Sequence, residues 1–330
     1  MTDQRKDNYQ SIFLSGTDAE LPLWFTNDYQ KYSNFREMAG GGNGLLLACK
    51  DNNLGRTVAL KKLRPGLAAS VRDRQRLLRE ARVTAQLQHP ATVPVYEIGK
   101  DDQGQIYFAM KKIEGEDLFK ILSRIARGDT STSQTYSLDR LLGIVIQASN
   151  ALAYAHTHGV IHRDVKPENI LVGFFGEVYL MDWGVAKIWG RPNDGSVDEE
   201  VTDGELRERL TTAGSRPGTP LYMSPEQVQG NRTIDERTDI FSMGVVLYEL
   251  LALREPFRGR TIEDTFHNIC NMTPPAPSAI SKHLTVPARL DEICLKAMQK
   301  EPRGRYSNIM DMVGEIRQFR EETMLGPTGS

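Results

Sequence analysis

Cysteine is scarce in this sequence, and neither sign of charge dominates. Cys49, Cys270 and Cys294 are far apart and form no CxxC pair. Neither a disulfide framework nor a zinc site is indicated, and we expect a reducing, cytoplasmic location. Forty-one basic and 43 acidic residues give a net charge of −2, so no global attraction to nucleic acid or to anionic membrane is expected. The six histidines lack metal-ligand spacing.

Long hydrophobic runs are also missing. The best apolar stretch, residues 244–253, is interrupted by Glu249, whereas a membrane helix needs about twenty apolar residues. The amino terminus lacks the apolar core of a secretory signal, so we expect no membrane segment in this chain. A length of 330 residues predicts two domains or one large two-lobed unit. The ending LGPTGS leaves open that the sequence is one domain of a longer chain.

The hydrophobic pattern divides the chain into a β-rich and an α-rich part. Ser70 and Asp73 have capping-box spacing at the start of one amphipathic segment. The elements predicted in the first part are three strands within 32–62, a helix at 70–88, and strands at 93–98 and 106–110. Beyond residue 114 the pattern is mainly helical, with long apolar helices at 138–157 and 239–253. Two polar stretches, 127–137 and 190–216, are expected to be loops.

The most informative stretch is His162-Arg163-Asp164-Val165-Lys166-Pro167-Glu168-Asn169, followed by Asp182-Trp183-Gly184. These motifs resemble the catalytic loop and the magnesium loop of the eukaryotic-like (Hanks-type) Ser/Thr protein kinases, especially the bacterial ones. Trp183 stands where the family usually has the Phe of its Asp-Phe-Gly motif. In this respect the sequence resembles the Pkn group, in which Trp replaces that Phe.

The remaining parts of the kinase pattern follow in the family's order. The resemblance implies that Lys61, in Val58-Ala59-Leu60-Lys61, holds the nucleotide α and β phosphates. It also implies that Glu80 fixes the Lys61 ammonium group as an ion pair. Glu226, in Ser224-Pro225-Glu226, is expected to end the activation segment and to pair with Arg305. Asp239 is expected to open a helix and to anchor the catalytic loop.

The resemblance also assigns the catalytic roles. Asp164 would accept the proton of the substrate hydroxyl, and Lys166 would neutralise the γ phosphate. Thr219 matches the threonine that faces the catalytic aspartate. Asn169 and Asp182 carry hard oxygen ligands suited to Mg²⁺, with Mn²⁺ as an alternative.

The nucleotide pocket is implied by the same alignment. The family's glycine loop falls on Ala39, Gly41, Gly44 and Leu46, so the first glycine and the valine are replaced. The residues expected around adenine are Ala59 and Leu46 as the roof, Leu171 as the floor, Met110 as the gatekeeper, and the hinge from Lys111 to Ile113.

The resemblance covers roughly residues 32–320 and implies an α+β, bilobal protein kinase fold. The predicted division is an N-terminal arm at 1–31, an N-lobe at 32–113, a C-lobe at 114–320 and a tail at 321–330. The implied function is an ATP- and Mg²⁺-dependent Ser/Thr protein kinase acting on protein substrates and on itself. A dimer is left open.

Ordinary explanations exist for each residue taken alone: Lys61 as a surface lysine, Glu80 as a solvated helix residue and Asp164 as a turn former. Their succession in one order supports the kinase interpretation. A pseudokinase that binds nucleotide or partners without transfer remains an alternative, motivated by Ala39 and Trp183. A small-molecule phosphotransferase is disfavoured, because those enzymes lack a segment like residues 218–226.

Two finer predictions concern the activation segment. Residues 182–226 are rich in hydroxyls and charge, which predicts autophosphorylation on Thr211 and Thr212, with Ser215 and Ser196 as weaker sites. Trp183 is larger than Phe, and Thr84 is smaller than the aliphatic residue usual one turn after Glu80. We therefore expect Trp183 and Thr84 to pack as a size-compensated pair.

Overall fold

A computed structural model describes residues 26–38, 44–64, 70–188, 220–231 and 234–325, with side chains up to residue 323. Several predicted site residues lie outside the described residues: Ala39, Gly41, Thr211, Thr212, Ser215, Ser196 and Thr219. The stretch 190–216, expected to be a loop, also lies outside them.

The β-rich part of the described chain is an antiparallel five-stranded sheet in the order β1-β2-β3-β5-β4. Its strands are β1 (Tyr32–Glu37), β2 (Gly44–Asp51), β3 (Arg56–Leu63), β4 (Val95–Lys100) and β5 (Ile106–Lys111). The prediction of three strands within 32–62 is confirmed. The strand predicted at 93–98 begins and ends two residues later, because residues 93 and 94 connect to it from the preceding turn.

One helix, α1 (Val71–Gln86), packs on this sheet. It begins where predicted, since the Ser70 side chain accepts a hydrogen bond from Asp73 N at 3.2 Å, which satisfies a free N–H of the first turn. Leu77, Glu80, Ala81 and Thr84 are buried along one side, at the spacing of one helix face. This geometry points Glu80 toward β3.

The opposite face of the sheet is covered by the 3₁₀ turn Tyr29–Lys31. Lys31 is buried, and its ammonium group bonds the Glu97 carboxylate. The hydroxyls of Tyr32 and Tyr107 donate to the same carboxylate, each at 2.9 Å. Residues just before β1 are therefore tied to β4 and β5.

The helical part is built around two long buried helices, α4 and α6. The helices of the described residues are α2 (Leu118–Ala126), α3 (Thr130–Thr135), α4 (Leu138–Thr157), α5 (Pro225–Val228), α6 (Arg237–Ala252), α7 (Ile262–Asn271), α8 (Pro277–Ile280), α9 (Ala288–Ala297) and α10 (Ile309–Leu325). The prediction for 138–157 is confirmed. The helix predicted at 239–253 is also present, but it begins two residues earlier, so Asp239 lies in its first turn. None of the helices in the described part combines the length and hydrophobicity that a membrane span requires.

The prediction of a loop over residues 127–137 is partly wrong, because α3 lies within it. Asp129 caps α3 by accepting a hydrogen bond from Thr132 N at 2.9 Å. The hydroxyls of Ser133 and Thr135 donate to the carbonyls four residues earlier. Short polar side chains can support a helix turn through such bonds as readily as a loop, so Ser/Thr content alone does not distinguish the two.

Small strands in the helical part carry the site loops. The three-stranded sheet β6-β8-β9 contains β6 (Gly115–Asp117), β8 (Ile170–Gly173) and β9 (Val178–Leu180), while β7 (Val160–Ile161) pairs with β10 (Lys187–Ile188). Residues 162–169 lie between β7 and β8, and residues 181–184 follow β9. The chain therefore has the predicted α+β, bilobal architecture, with both loops at the junction of its two parts.

Candidate active site

Lys61 and Glu80 form an ion pair between β3 and α1. Lys61 Nζ lies 2.5 Å from Glu80 Oε1 and 2.7 Å from Oε2. Burial raises the pKa of Glu80 to about 7, although Lys61 opposes this shift. Burial disfavours the charge on Lys61, but the carboxylates of Glu80 and Asp182 outweigh it, so its pKa is raised. The pair holds the Lys61 ammonium group near the Asp182 carboxylate.

Residues 162–169, predicted to be the catalytic loop, form one hydrogen-bonded unit. Lys166 Nζ donates to both oxygens of Asp164, at 2.9 and 2.7 Å. Asn169 Nδ2 donates to the Asp164 carbonyl at 2.8 Å and to Asp164 Oδ2 at 3.1 Å. Burial opposes a charge on Lys166, yet Asp164 keeps its pKa raised. The structure thus brings Asp164, Lys166 and Asn169 together in a fixed arrangement.

Asp239 holds the backbone of this loop from beneath. Its carboxylate is fully buried and accepts hydrogen bonds from His162 N and Arg163 N, both at 2.8 Å. Arg163 has φ +66°, a conformation unfavourable for a residue with a side chain. The Asp239 carboxylate therefore supplies acceptors for two neighbouring N–H groups of this strained segment.

His156 is a member of the site that sequence reasoning missed. Its Nε2 lies 2.8 Å from Asp239 Oδ2. Burial raises the pKa of Asp239, but the hydrogen bond from His156 and other contacts outweigh burial and lower it. No spacing or motif marks His156, because its partner lies 83 residues later in the chain.

Asp182 lies beside the loop of residues 162–169. Met181 N donates to the Asn169 carbonyl at 2.8 Å, which fixes the turn of residues 181–184 against the loop. Asp182 has φ +62°. A Cβ at Gly184 would lie 3.2 Å from Asp182 Oδ1, so glycine leaves that carboxylate its space. Burial raises the pKa of Asp182, but Lys61 and Lys166 outweigh burial and lower it.

The oxygen atoms of Asn169 and Asp182 suit a divalent cation. The Asn169 amide nitrogen is used in bonds to Asp164, which leaves its side-chain oxygen as the atom able to ligate. Asp182 supplies a charged carboxylate held ionised by two lysines. An amide oxygen and a carboxylate are hard ligands of the kind that Mg²⁺ prefers when phosphates complete its shell.

The residues expected around adenine meet in one apolar cluster. Ala59 lies opposite Met110 in the β3–β5 pair, and both are buried in a cluster against which Leu46, Ile113 and Leu171 pack. Gly44 comes close to Lys61, since a Cβ there would lie 3.3 Å from Lys61 Cε. The cluster also contains Tyr179, which the sequence did not single out.

Glu226 and Arg305 form a buried ion pair in the helical part. Arg305 Nη1 lies 2.7 Å from Glu226 Oε1, and Nη2 lies 2.8 Å from Oε2. Thr238 Oγ1 also donates to Glu226 Oε1 at 2.7 Å. Burial alone would raise the pKa of Glu226, but the hydrogen bonds and charge of Arg305 outweigh the effect of burial, so the pKa is lowered. The pair ties α5 to the turn that precedes α10.

Trp183 is completely buried between the two parts of the molecule. Its Nε1 donates to the Leu180 carbonyl at 3.3 Å, and its ring meets the His162 ring edge-on, with centroids 4.5 Å apart. Trp183 and Thr84 line the same cavity of about 10 Å³, together with Glu80 and Met110. A void the size of one water molecule therefore lies among these side chains.

Comparison with known proteins identifies the family of this chain. Residues 32–316 match the model of the protein kinase domain family. The chain is 33% identical over 296 residues to the serine/threonine-protein kinase PknD of Chlamydia abortus, covering 88% of this chain and 31% of that protein. The PknD of Protochlamydia amoebophila is 32% identical over 295 residues, covering 88% and 30% of the two chains.

A third relative, the PknD of Chlamydia trachomatis serovar D, is 34% identical over 303 residues, covering 88% of this chain and 32% of that protein. The chain therefore spans about a third of the length of these curated relatives. The family match covers most of the chain, and the site has the residues and contacts described above. This chain belongs to the protein kinase family.

Proposed function

We propose that the chain is an active Ser/Thr protein kinase that transfers the γ phosphate of ATP to hydroxyl groups of protein substrates. The observation that carries the proposal is the hydrogen-bonded unit of Asp164, Lys166 and Asn169 beside Asp182 and the Lys61–Glu80 pair. The relatives are named as Ser/Thr kinases. Lys166, two residues after Asp164, is also a mark of Ser/Thr rather than Tyr kinases.

Each residue has a proposed role that follows from its surroundings. Phosphoryl transfer passes through a loose transition state, so positioning and charge stabilisation supply most of the catalysis. Asp164 accepts the proton of the substrate hydroxyl, and its carboxylate is oriented by Lys166 and Asn169. Lys166 neutralises charge on the transferred group, while Lys61, aligned by Glu80, binds the other phosphates. We propose that Thr219, outside the described residues, faces Asp164.

Asn169 and Asp182 are the proposed ligands of Mg²⁺, and Mn²⁺ has the same preference for oxygen. When bound, such an ion would neutralise phosphate charge. The proposed nucleotide-binding residues are the pocket described above together with Ala39 and Gly41 of the glycine loop. The proposed division of the chain remains an arm at 1–31, lobes at 32–113 and 114–320, and a tail at 321–330.

Incubation with γ-labelled ATP, Mg²⁺ and a general protein substrate tests the function. We expect label on serine and threonine, and we expect Asp164→Asn to reduce the transfer rate by about 10²–10⁴-fold, as the loss of a general base does. The variant should still bind ATP, as measured by titration. If the wild-type chain binds ATP tightly but transfers nothing, it is a pseudokinase and the proposal is wrong.

We also propose that the kinase phosphorylates its own activation segment at Thr211 and Thr212, with Ser215 as a weaker site. Arg163 lies beside Asp164, where its guanidinium can attract a phosphate. Its Nε donates to the Val185 carbonyl at 2.7 Å, which holds the side chain near the start of the segment.

Mass spectrometry after incubation with ATP decides this. We expect phosphate on residues 211–215 in the wild type and none in Asp164→Asn. Two observations together would contradict the proposal: the active protein carries no phosphate between residues 182 and 226, and the combined change Thr211→Ala with Thr212→Ala leaves its transfer rate unchanged.

We also propose that the chain belongs to the Trp-containing Pkn group and that Trp183 and Thr84 pack as a size-compensated pair. The two side chains line one small cavity, and Thr84 Oγ1 donates to the Glu80 carbonyl at 2.6 Å. Enlarging Thr84 to Leu should overpack this space, cost about 1–3 kcal/mol of stability and push α1 away from Lys61. Trp183→Phe should enlarge the void, and combining the two changes should restore activity. Equal activities of the double variant and Thr84→Leu would rule out size compensation.

A further inference from the structure

A side-chain hydrogen bond joins the first residue of the proposed hinge to the helical part of the molecule. Lys111 is the last residue of β5, and its Nζ donates to the Tyr179 hydroxyl at 2.6 Å. Tyr179 lies in β9, in the helical part of the molecule. Nζ is 5.1 Å from the Tyr179 ring centroid, a distance that places the ammonium group beyond the hydroxyl rather than over the ring face. The contact is therefore a charge-assisted hydrogen bond.

Tyr179 connects this bond to the nucleotide pocket. It is only 5% exposed, although it comes from the helical part, and it packs in the apolar cluster that contains Ala59 and Met110. In the β8–β9 pair, Tyr179 lies opposite Leu171, the proposed floor under adenine. A displacement of Tyr179 would therefore move the floor of the pocket.

Lys111 makes the corresponding connection on the hinge side. It directly follows Met110 in β5 and lies opposite Val58 in β3, one residue before Ala59. The hydrogen bond to Tyr179 raises the pKa of Lys111 and outweighs the effect of burial. The Glu177 carboxylate also favours the charged form of Lys111. Lys111 remains a cation and a donor at neutral pH.

We propose that Lys111 and Tyr179 are positioning residues that set the spacing between the hinge backbone and the Leu171 floor, and thereby the affinity for ATP. This inference rests on the proposed kinase function, because it concerns the nucleotide that the kinase uses. The bond touches neither the phosphates nor Asp164. Its loss should therefore weaken nucleotide binding and leave the transfer step itself unchanged.

Lys111→Met and Tyr179→Phe each remove the bond with little change in side-chain volume. We expect each to raise the Kd for Mg·ATP, measured by calorimetric titration, and the KM for ATP by about tenfold. kcat at saturating ATP should stay within about twofold. Since both variants remove the same hydrogen bond, the double variant should bind ATP no more weakly than either single variant. Lys111→Arg should restore part of the affinity, and Lys100→Met, at an exposed lysine of β4, should match the wild type.

Three outcomes would overturn the inference: wild-type Kd in both single variants, effects that add in the double variant, or a fall in kcat and thermal stability with no change in Kd. A wild type that binds ATP without transferring phosphate would refute the proposed function, while the Kd comparison would still decide the positioning role. A wild type that does not bind ATP would refute both.

Discussion

Replacing Arg305 with methionine is expected to lower the free energy of unfolding by about 3–5 kcal/mol. The Arg305 side chain is fully buried and bonds both oxygens of Glu226. It also donates to the carbonyls of Gln299, Arg237 and Lys300. Without it, the buried Glu226 carboxylate keeps Thr238 as a donor but loses its compensating charge.

Urea unfolding of both proteins measures this difference. Arg289→Met is the control, because Arg289 is 45% exposed and pairs at the surface with Glu292 and Glu315, so its loss should cost at most about 1 kcal/mol. The pKa of Glu226 is lowered in the folded state, so the stability from the pair is present above its unfolded value and is lost as pH falls through the folded value. A cost for Arg305→Met no greater than that of the control would contradict the assigned role.

Replacing Lys61 with methionine is expected to reduce kcat/KM by about 10²–10³-fold, the usual effect of losing one charge-stabilising donor. Lys61 Nζ is held by both oxygens of Glu80, so its position is fixed for the proposed contact with a phosphate. Its removal also leaves Glu80 buried beside Asp182 without its main cationic partner, which should raise the pKa of that carboxyl further and favour its protonated form.

Steady-state kinetics with varied ATP measures the loss. Lys62→Met is the matched control: Lys62 is the next residue of β3, points to the other face of the sheet and pairs with Asp101 at 3.0 Å. Lys62→Met should lower the stability of the protein without a comparable loss of phosphoryl transfer. If the two variants lose activity equally, Lys61 has no special part in the reaction.

The elements of this fold were largely predictable because their signals are local. Short apolar runs broken by a glycine cluster and by the turn residues 52–55 mark the strands within 32–62, and a long apolar segment marks the helix at 138–157. The cap at Ser70 depends on a residue three positions away. The prediction failed at α3, where the Ser/Thr-rich sequence is compatible with either a capped turn or a loop. The short strands β6–β10 of the helical part were also not predicted.

The residues of the site are also readable from their order, but their geometry is not. The succession of motifs along the chain is enough to single out Lys61, Asp164 and Asp182. Nothing in the sequence indicates that His156 meets Asp239, or that Lys111 reaches Tyr179 across 68 residues. Such partners depend on where distant segments lie after folding, and a lysine or histidine without a partner carries no distinguishing pattern.

By itself, the amino-acid sequence determined the two-part division, the five strands of the first part, three of the long helices, and the types of side chain available for phosphoryl transfer. Only the tertiary structure decided how those side chains are held. It placed the buried Asp239 under the strained Arg163 backbone, closed the Glu226–Arg305 pair between distant elements, and linked the hinge to the floor strand. The physical reason is that periodicity and motifs depend on neighbours along the chain, whereas burial, desolvation and the pairing of charges depend on neighbours in space.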